Sequence, residues 1–252
     1  MSYIIFDMDD TLLNDRRQVT PYTLDILRRL QGMGHKLVIN TARSKAYDQE
    51  YFDLIRPDYA ILNGGALILD GDEQVIFRAD LDVATTQTVI EELLKHTENF
   101  SVQTEGHLYS NLGLYTGQNS KAFDFSKECF PYPALKVVAS IEDGEAAEEI
   151  AKRFDLAYTT YFDGVFRRYN HKGATKALGN QNLVRLLGDG LEDVIAFGDD
   201  LGDLEMLQQA GIGVLMKNAK PHLHGHCKYI SEYTNDEDGV ARFLAAHFHM
   251  ER

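Results

Sequence analysis

The sequence predicts an α/β fold, in which a parallel sheet is covered by helices and interrupted by an α+β insertion. In the first and last thirds of the chain, short apolar runs typical of buried strands alternate with helical periodicity. The middle third instead carries strands rich in aromatic and β-branched residues. Two of the apolar runs end in clusters of aspartates, YIIFDMDDT and VIAFGDDLGD, which also suggests where a site forms.

In the N-terminal third, predicted strands alternate with predicted helices, as in parallel sheets whose strands are joined by helical crossover connections. Thr20 and Pro21 predict a helix start, as N-cap and first-turn proline, and Gly34 predicts its end. Asp70-Gly71 predicts a hairpin turn. The predicted strands are 3–7, 36–41 and 59–62, and the second helix is 44–55.

From about Arg78 the pattern changes to a helix over 82–97, strand-rich stretches, a helix over 144–154 and further strands up to 170. This order predicts an inserted α+β domain with an antiparallel sheet. From Lys172 the parallel pattern resumes, with strands VIAF, IGVLM and YIS between helices.

Composition excludes several functional classes. The chain has 252 residues, of which 44% are hydrophobic, so it can bury a large core. A formal charge of −14 argues against a general nucleic-acid or anionic-membrane binder. Only two cysteines and no secretory signal pattern are present, so we expect a cytoplasmic protein, and no apolar run is long enough to cross a membrane.

The acidic clusters predict a site for a hard metal ion. Closely spaced carboxylates repel one another, so a cation among them would offset the cost of their ionisation. Oxygen ligands of this kind suit Mg²⁺. In an open parallel sheet the carboxyl ends of strands meet in one crevice, where Asp7, Thr41 and Asp199 would emerge. Lys172, which precedes Gly173 at a predicted helix start, would add an anion-binding ammonium.

Together these motifs resemble the haloacid dehalogenase (HAD) superfamily of phosphatases, most closely its Cof-type branch. The resemblance rests on IIFDMDDT, INTAR, HKGATKAL and GDDLGD, and covers nearly the whole chain. It implies a Rossmann-like core from residues 1–79 and 171–252, and a substrate-specificity cap of C2 type from 80–170.

The resemblance also implies a role for each matched residue. Asp7 would be the nucleophile that forms an aspartyl-phosphate, and Asp9 the general acid and base. Mg²⁺ would be held by Asp7, Asp199 and the main-chain carbonyl of Asp9. Thr41 with the neighbouring main chain at Ala42, and Lys172, would bind the phosphoryl oxygens.

Further residues are expected to support the site. Asp203 would orient Lys172 or a metal-bound water, while Asp200, Asn63 and Arg43 are secondary candidates. Two positions depart from the Cof pattern: Asp10 replaces a usual Gly, and Gly202 replaces a usual Asn. The second departure would weaken Mg²⁺ binding unless the carboxylate of Asp200 compensates.

The function implied is Mg²⁺-dependent hydrolysis of a small phosphorylated metabolite, such as a sugar phosphate, nucleotide, pyridoxal phosphate or flavin mononucleotide. A phosphomutase on the same scaffold and a phospho-accepting regulator without turnover remain alternatives. Two other groups of residues have both a functional and a purely structural interpretation. The first is a set of cap side chains: His107, Tyr109, Tyr115, Tyr161, Arg167 and Arg168. The second is the histidine run HLHGHC at 222–227, for which a plain surface segment is the favoured interpretation.

Overall fold

A computed structural model of the chain describes residues 1–111, 119–161 and 164–250. It divides into two compact units. One comprises Met1–Ala42, Glu50–Phe77 and Lys176–Arg252, and the other comprises Arg43–Gln49 and Arg78–Thr175. The return to the first unit thus falls at Lys176, five residues later than the predicted boundary at 171. The assignment of the units as catalytic core and specificity cap stays a prediction.

The first unit is built on an eight-stranded sheet of order β14-β13-β12-β1-β2-β3-β4-β5. Its strands are β1 (Tyr3–Phe6), β2 (Lys36–Asn40), β3 (Tyr59–Leu62), β4 (Leu67–Asp70), β5 (Val75–Arg78), β12 (Val194–Gly198), β13 (Ile212–Leu215) and β14 (Tyr229–Ile230). The six strands from β14 to β3 run parallel, and β4 is antiparallel to β3. The α/β architecture expected from the sequence is therefore present.

The second unit contains a six-stranded sheet of order β10-β11-β9-β6-β7-β8. Its strands are β6 (Phe100–Gln103), β7 (Leu108–Ser110), β8 (Ser120–Ala122), β9 (Lys136–Ser140), β10 (Leu156–Tyr161) and β11 (Phe166–His171). The pairs are antiparallel, as expected for an α+β unit, except that β7 and β8 run parallel.

Seven α-helices accompany the strands in the described part of the chain. They are α1 (Pro21–Gly32), α2 (Lys45–Ile55), α3 (Val83–Leu93), α4 (Gly144–Arg153), α5 (Lys176–Leu187), α6 (Leu204–Gln209) and α7 (Gly239–His247). The predicted cap of α1 is present, since the Thr20 side chain accepts a hydrogen bond from the Thr23 N–H at 3.1 Å. The predicted hairpin turn joins β4 to β5, where Asp70 Oδ1 accepts the N–H groups of Asp72 and Gln74.

Each unit has its own apolar core. In the first, β1 and β12 are buried along their whole length, which is typical of central parallel strands covered on both faces. In the second, Phe100, Val102 and Tyr169 of the sheet pack with Val89 and Ile90 of α3. Among the described residues, no helix combines the length and apolar character required to cross a bilayer.

Candidate active site

The candidate site lies at the carboxyl ends of neighbouring central strands. β1 lies between β2 and β12, and all three run parallel. Asp7 directly follows β1, and its N–H donates to the Phe197 carbonyl of β12 at 3.1 Å. Thr41 follows β2, and Asp199 follows β12. The strand order therefore brings three residues that are far apart in sequence to one edge of the sheet.

Three carboxylates meet at this edge. Asp7, Asp199 and Asp203 each offer an oxygen, and these oxygens lie within 4.8 Å of one another. Asp203 is completely buried, and its Oδ2 accepts the N–H groups of Asp199 at 3.0 Å and Asp200 at 3.2 Å. Gly198 permits this turn, because a Cβ there would lie 2.4 Å from the Asp203 Cβ.

Lys176, the first residue of α5, neutralises part of this charge. Its Nζ lies 2.7 Å from Asp7 Oδ1 and 2.6 Å from Asp203 Oδ1, and its side chain is buried. Thr11 also contacts the group, donating its hydroxyl to Asp199 Oδ1 at 2.8 Å. The site thus contains one ammonium and one hydroxyl donor in contact with three carboxylates.

Burial and mutual repulsion change the acidity of these groups. Desolvation, together with the neighbouring Asp203 carboxylate, raises the pKa of Asp7 to about 7, although Lys176 acts to lower it. Desolvation and the charges of Asp203 and Asp7 raise the pKa of Asp199 to about 8. Burial alone would lower the pKa of Lys176, but the Asp203 and Asp7 carboxylates raise it above its usual value, so this side chain stays cationic.

The donor set fits a hard divalent cation. Only carboxylate oxygens are offered, and their raised pKa values show that the protein alone does not fully stabilise their negative charge. Asp203 already uses both oxygens to accept hydrogen bonds, one from Lys176 and the other from main-chain N–H groups. Asp7 and Asp199 are therefore the more available ligands.

Asp9 and Asp10 lie outside the three-carboxylate group. The Asp9 side chain is 45% exposed, and its Oδ1 is 3.4 Å from Arg17 Nη1. Asp10 is exposed and has a left-handed backbone with φ 54°, and its carbonyl accepts the Asn218 side-chain amide at 2.7 Å. From the first cluster, Asp7 is the aspartate whose carboxylate groups with Asp199 and Asp203.

The polar residues after β2 and β3 form a compact turn region. Thr41 is buried, and its main chain bonds both to the Ile61 carbonyl at 2.9 Å and to the Gly64 N–H at 2.9 Å. Ala42 and Arg43 follow in a half-buried bend. Asn63 is buried with φ 53° and begins the turn between β3 and β4.

Asp200 and Gly202 form the rim of the second acidic segment. Asp200 is exposed, and its Oδ1 accepts the Gly202 N–H at 2.7 Å. Desolvation and the charge of Asp203 raise the pKa of Asp200. The Asp200 carboxylate therefore stabilises a local turn through its hydrogen bond with the Gly202 N–H.

Among the described ion pairs, the lysine that contacts Asp7 and Asp203 is Lys176, not the expected Lys172. Lys172 is exposed and pairs with exposed Asp155, both in the second unit. The helix begins at Lys176 rather than at Lys172-Gly173, so it is Lys176 that contacts Asp7 and Asp203. A helical signal for this was available, because Lys176 shares the spacing of the buried α5 positions Asn180, Leu183 and Val184.

The cap candidates have structural partners. Tyr109 packs in the apolar core of the second unit, with its ring centroid 5.1 Å from that of Phe130. Arg167 donates to Thr160 and Arg168 to Thr159 on the paired strand β10. Tyr115 and the Tyr161 side chain lie outside the described residues, and His107 has its ring 6.0 Å from Tyr109.

The histidine run forms a short surface turn, Pro221–His226, in which His224 bonds to the Ala219 carbonyl at 3.0 Å. In the part of the chain that the structure describes, the Asp7, Asp199 and Asp203 group is the single metal-compatible cluster. The interpretation of HLHGHC as a plain surface segment stays a prediction.

Comparison with known proteins identifies the family to which this arrangement belongs. A family model described as haloacid dehalogenase-like hydrolase matches residues 4–244. The chain belongs to this family. A curated relative from Bacillus subtilis (strain 168), the 5-amino-6-(5-phospho-D-ribitylamino)uracil phosphatase YcsE, is 29% identical over 246 residues, which are 96% of this chain and 93% of the relative.

Solved structures of HAD proteins share the fold. A haloacid dehalogenase-like hydrolase from B. subtilis has a TM-score of 0.83 and 22% identity, with 100% of both chains covered. The HAD subclass IIB sugar phosphatase BT4131 has a TM-score of 0.81 and 23% identity, again over 100% of both chains. The family resemblance, the α/β fold and the hydrolase assignment made from the sequence are thereby confirmed.

Proposed function

We propose that this HAD hydrolase is a Mg²⁺-dependent phosphatase of small phosphorylated metabolites, with Asp7 as the nucleophile. One observation carries the proposal: the buried Lys176 ammonium lies between the Asp7 and Asp203 carboxylates, with Asp199 beside them. A nucleophilic carboxylate, a fixed cation and a pair of metal-compatible oxygens are the parts that phosphoryl transfer requires.

In the first step an Asp7 oxygen attacks phosphorus, and the bond from phosphorus to the ester oxygen breaks. Asp9 gives its proton to that leaving oxygen. In the second step Asp9 takes a proton from water, whose oxygen attacks phosphorus, and the bond from Asp7 to phosphorus breaks. The half-exposed position of the Asp9 side chain, outside the carboxylate group, supports a role that exchanges protons with substrate and water.

The remaining residues stabilise charge. Lys176 opposes the effect of burial on Asp7, so the nucleophile is substantially ionised near neutral pH. The same ammonium, together with the Thr41 and Ala42 segment, would bind the phosphoryl oxygens as they gain charge. When bound by Asp7 and Asp199, Mg²⁺ would reduce the repulsion between the carboxylate and a phosphate dianion.

The relatives guide the choice of substrate. YcsE is named for a phosphorylated ribitylaminouracil, and BT4131 is named a sugar phosphatase. Both substrates join a phosphomonoester to a polyhydroxylated carbon chain or ring. We therefore place sugar phosphates, nucleotides and flavin mononucleotide first in the substrate class, because each carries its phosphate on a polyhydroxylated chain or ring, and we place pyridoxal phosphate after them.

The test is phosphate release from p-nitrophenyl phosphate with Mg²⁺, followed by a panel of phosphorylated metabolites. We expect many turnovers per enzyme, loss of activity in EDTA and loss in Asp7→Asn, while the matched exposed substitution Asp10→Asn remains active. At most one equivalent of product would instead identify a phospho-accepting regulator. Return of the phosphoryl group to a hydroxyl of a hexose phosphate would identify a phosphomutase.

A further inference from the structure

Asn40 is a polar residue in an apolar setting. It is the last residue of β2, after the buried Leu37, Val38 and Ile39, and its own exposure is 0%. Burying an amide is unfavourable unless its polar atoms find partners. The contacts of this side chain therefore indicate what it does.

The amide of Asn40 binds the start of α5. Its Nδ2 donates to the Lys176 main-chain carbonyl at 2.9 Å and to Asn180 Oδ1 at 2.7 Å. The Lys176 carbonyl can only accept, so the reversed amide would oppose its oxygen to that carbonyl oxygen, and the orientation of Asn40 is fixed. Lys176 and Asn180 are one helical turn apart, and Asn40 therefore fixes that turn against the sheet.

A close contact fixes the same turn on another side. A Cβ on Gly179 would lie 2.5 Å from Ile61 Cγ2 and 3.3 Å from the Gly65 Cα. Helix α5 therefore approaches β3 and the turn after it more closely than any larger residue allows. With both constraints in place, Lys176 Nζ lies 2.7 Å from Asp7 and 2.6 Å from Asp203.

Stability does not account for the two amides. Within the described residues, Asn40 Oδ1 and Asn180 Nδ2 are buried without a hydrogen-bond partner, which is unfavourable. Replacing both members of such a pair by apolar residues of the same shape is often neutral or stabilising. The arrangement is thus better explained by the position it gives to Lys176.

We infer that Asn40 and Asn180 are positioning residues that hold the first turn of α5 so that the Lys176 ammonium reaches Asp7. The inference rests on the role proposed for Lys176 in phosphoryl transfer. It predicts that Asn40 acts on turnover only through Lys176, although Asn40 is the chain neighbour of Thr41.

The test is a double-mutant cycle between Asn40→Leu and Lys176→Met, measured as kcat and KM for p-nitrophenyl phosphate. Asn40→Leu should lower kcat roughly tenfold and leave KM within about twofold, because a displaced ammonium loses contact with developing charge. In the Lys176→Met background the same substitution should change kcat by less than about twofold. Multiplicative losses would overturn the inference and assign the effect to Thr41 or to general disorder.

Two further variants separate positioning from folding. Asn40→Leu/Asn180→Leu should be no slower than Asn40→Leu and as heat-stable as the wild type, because both unpaired amide atoms are removed. Thr86→Val serves as the matched control: Thr86 is a buried residue of the second unit, hydrogen-bonded to the Leu81 carbonyl at 3.0 Å. It should lower the melting temperature and leave kcat unchanged.

Asn180→Ala keeps β2 intact and provides the cycle if Asn40→Leu does not fold. It should lower kcat about threefold in the wild type and have no effect in Lys176→Met, as expected for residues coupled through one partner. If Asn180→Ala and Asn40→Leu keep the wild-type kcat while Lys176→Met lowers it, the positioning role is refuted and the proposed role of Lys176 is retained. Wild-type kcat in Lys176→Met would refute the proposed function of the lysine.

Discussion

Two sets of charged residues are close in sequence but differ in environment. The inner set, Asp7, Lys176, Asp199 and Asp203, is buried or half-buried and mutually in contact. The outer set, Asp10, Lys172 and Asp200, is exposed. Each outer residue lies within four positions of an inner one. Residue type and spacing locate the site, but the local backbone decides which member faces it.

The two lysines should show the largest difference. Lys176→Met should lower kcat at least about a hundredfold, because it removes a buried cation from the charge that develops at phosphorus. Lys172→Met should stay within about twofold of the wild type, since its partner Asp155 is exposed and surface ion pairs contribute little. Steady-state kinetics with Mg²⁺ measures both. Equal losses in the two variants would remove the distinction between the sets.

The sequence predicted the acidic side of the site better than the basic side. Asp7 and Asp199 follow β1 and β12 directly, so their positions depend only on strand ends and strand order. Lys176 depends on where α5 begins and on the phase of its buried face, and a helix boundary is uncertain by several residues from sequence alone. The Lys-Gly pair at 172 and 173 suggested a start one turn too early.

Contacts between segments that are far apart in the chain could not be predicted from the sequence. The Asn40 amide on the Lys176 carbonyl, and the Asn218 amide on the Asp10 carbonyl, join residues more than a hundred positions apart. No local periodicity signals such pairs, because they arise only after sheet order and helix packing are set. The alternation of strands and helices, in contrast, is local, and it predicted the α/β class that the structure confirms.

The carboxylates of Asp7, after β1, and Asp199, after β12, should make the stability of the metal-free protein depend on pH. Without metal, the raised pKa of Asp7, about 7, and of Asp199, about 8, means that the native state holds protons that the unfolded state releases. Their contribution to stability is complete below their unfolded pKa of about 4 and is lost as pH rises through 7 to 8. The melting temperature of the metal-free protein should therefore fall between pH 6 and 8.5.

Mg²⁺ should reverse that loss, with a larger increase in melting temperature at pH 8 than at pH 6, because the ion binds the ionised carboxylates. Asp199→Asn should flatten the pH dependence and weaken the Mg²⁺ response, whereas Asp200→Asn should retain most of both. Thermal unfolding of the wild type and of both variants across this pH range, with and without Mg²⁺, measures these differences. A pH-independent Mg²⁺ response in the wild type would argue against cation binding at Asp7 and Asp199.

Gly202→Asn tests whether a side-chain amide at residue 202, beside the exposed Asp200, can support metal binding. A Cβ at residue 202 would lie 3.1 Å from Asp200 Oδ1, so Asp200 must move slightly to accommodate it. If the added amide supports the ligands of the ion, Mg²⁺ affinity should rise about threefold, a small effect for an indirect contact. Titration calorimetry measures it, with Gly202→Ala as the control for the backbone alone. Unchanged affinity would mean that Asp200 or water already fills this role.

Asp10→Gly should have the smallest effect, on stability alone. Asp10 has φ 54°, and a left-handed conformation costs most residues about 1–2 kcal/mol, which glycine avoids. Glycine also makes the unfolded chain more flexible, which offsets about 0.4–1 kcal/mol, so a net gain of about 0.5 kcal/mol is expected in urea unfolding. Asp200→Gly is the matched control, because Asp200 has no positive φ and should show no gain. Relief of the left-handed backbone at residue 10 should change stability and leave the transition state of the reaction unaffected. If Asp10→Gly lowers kcat by more than about twofold, Asp10 therefore belongs with the inner set.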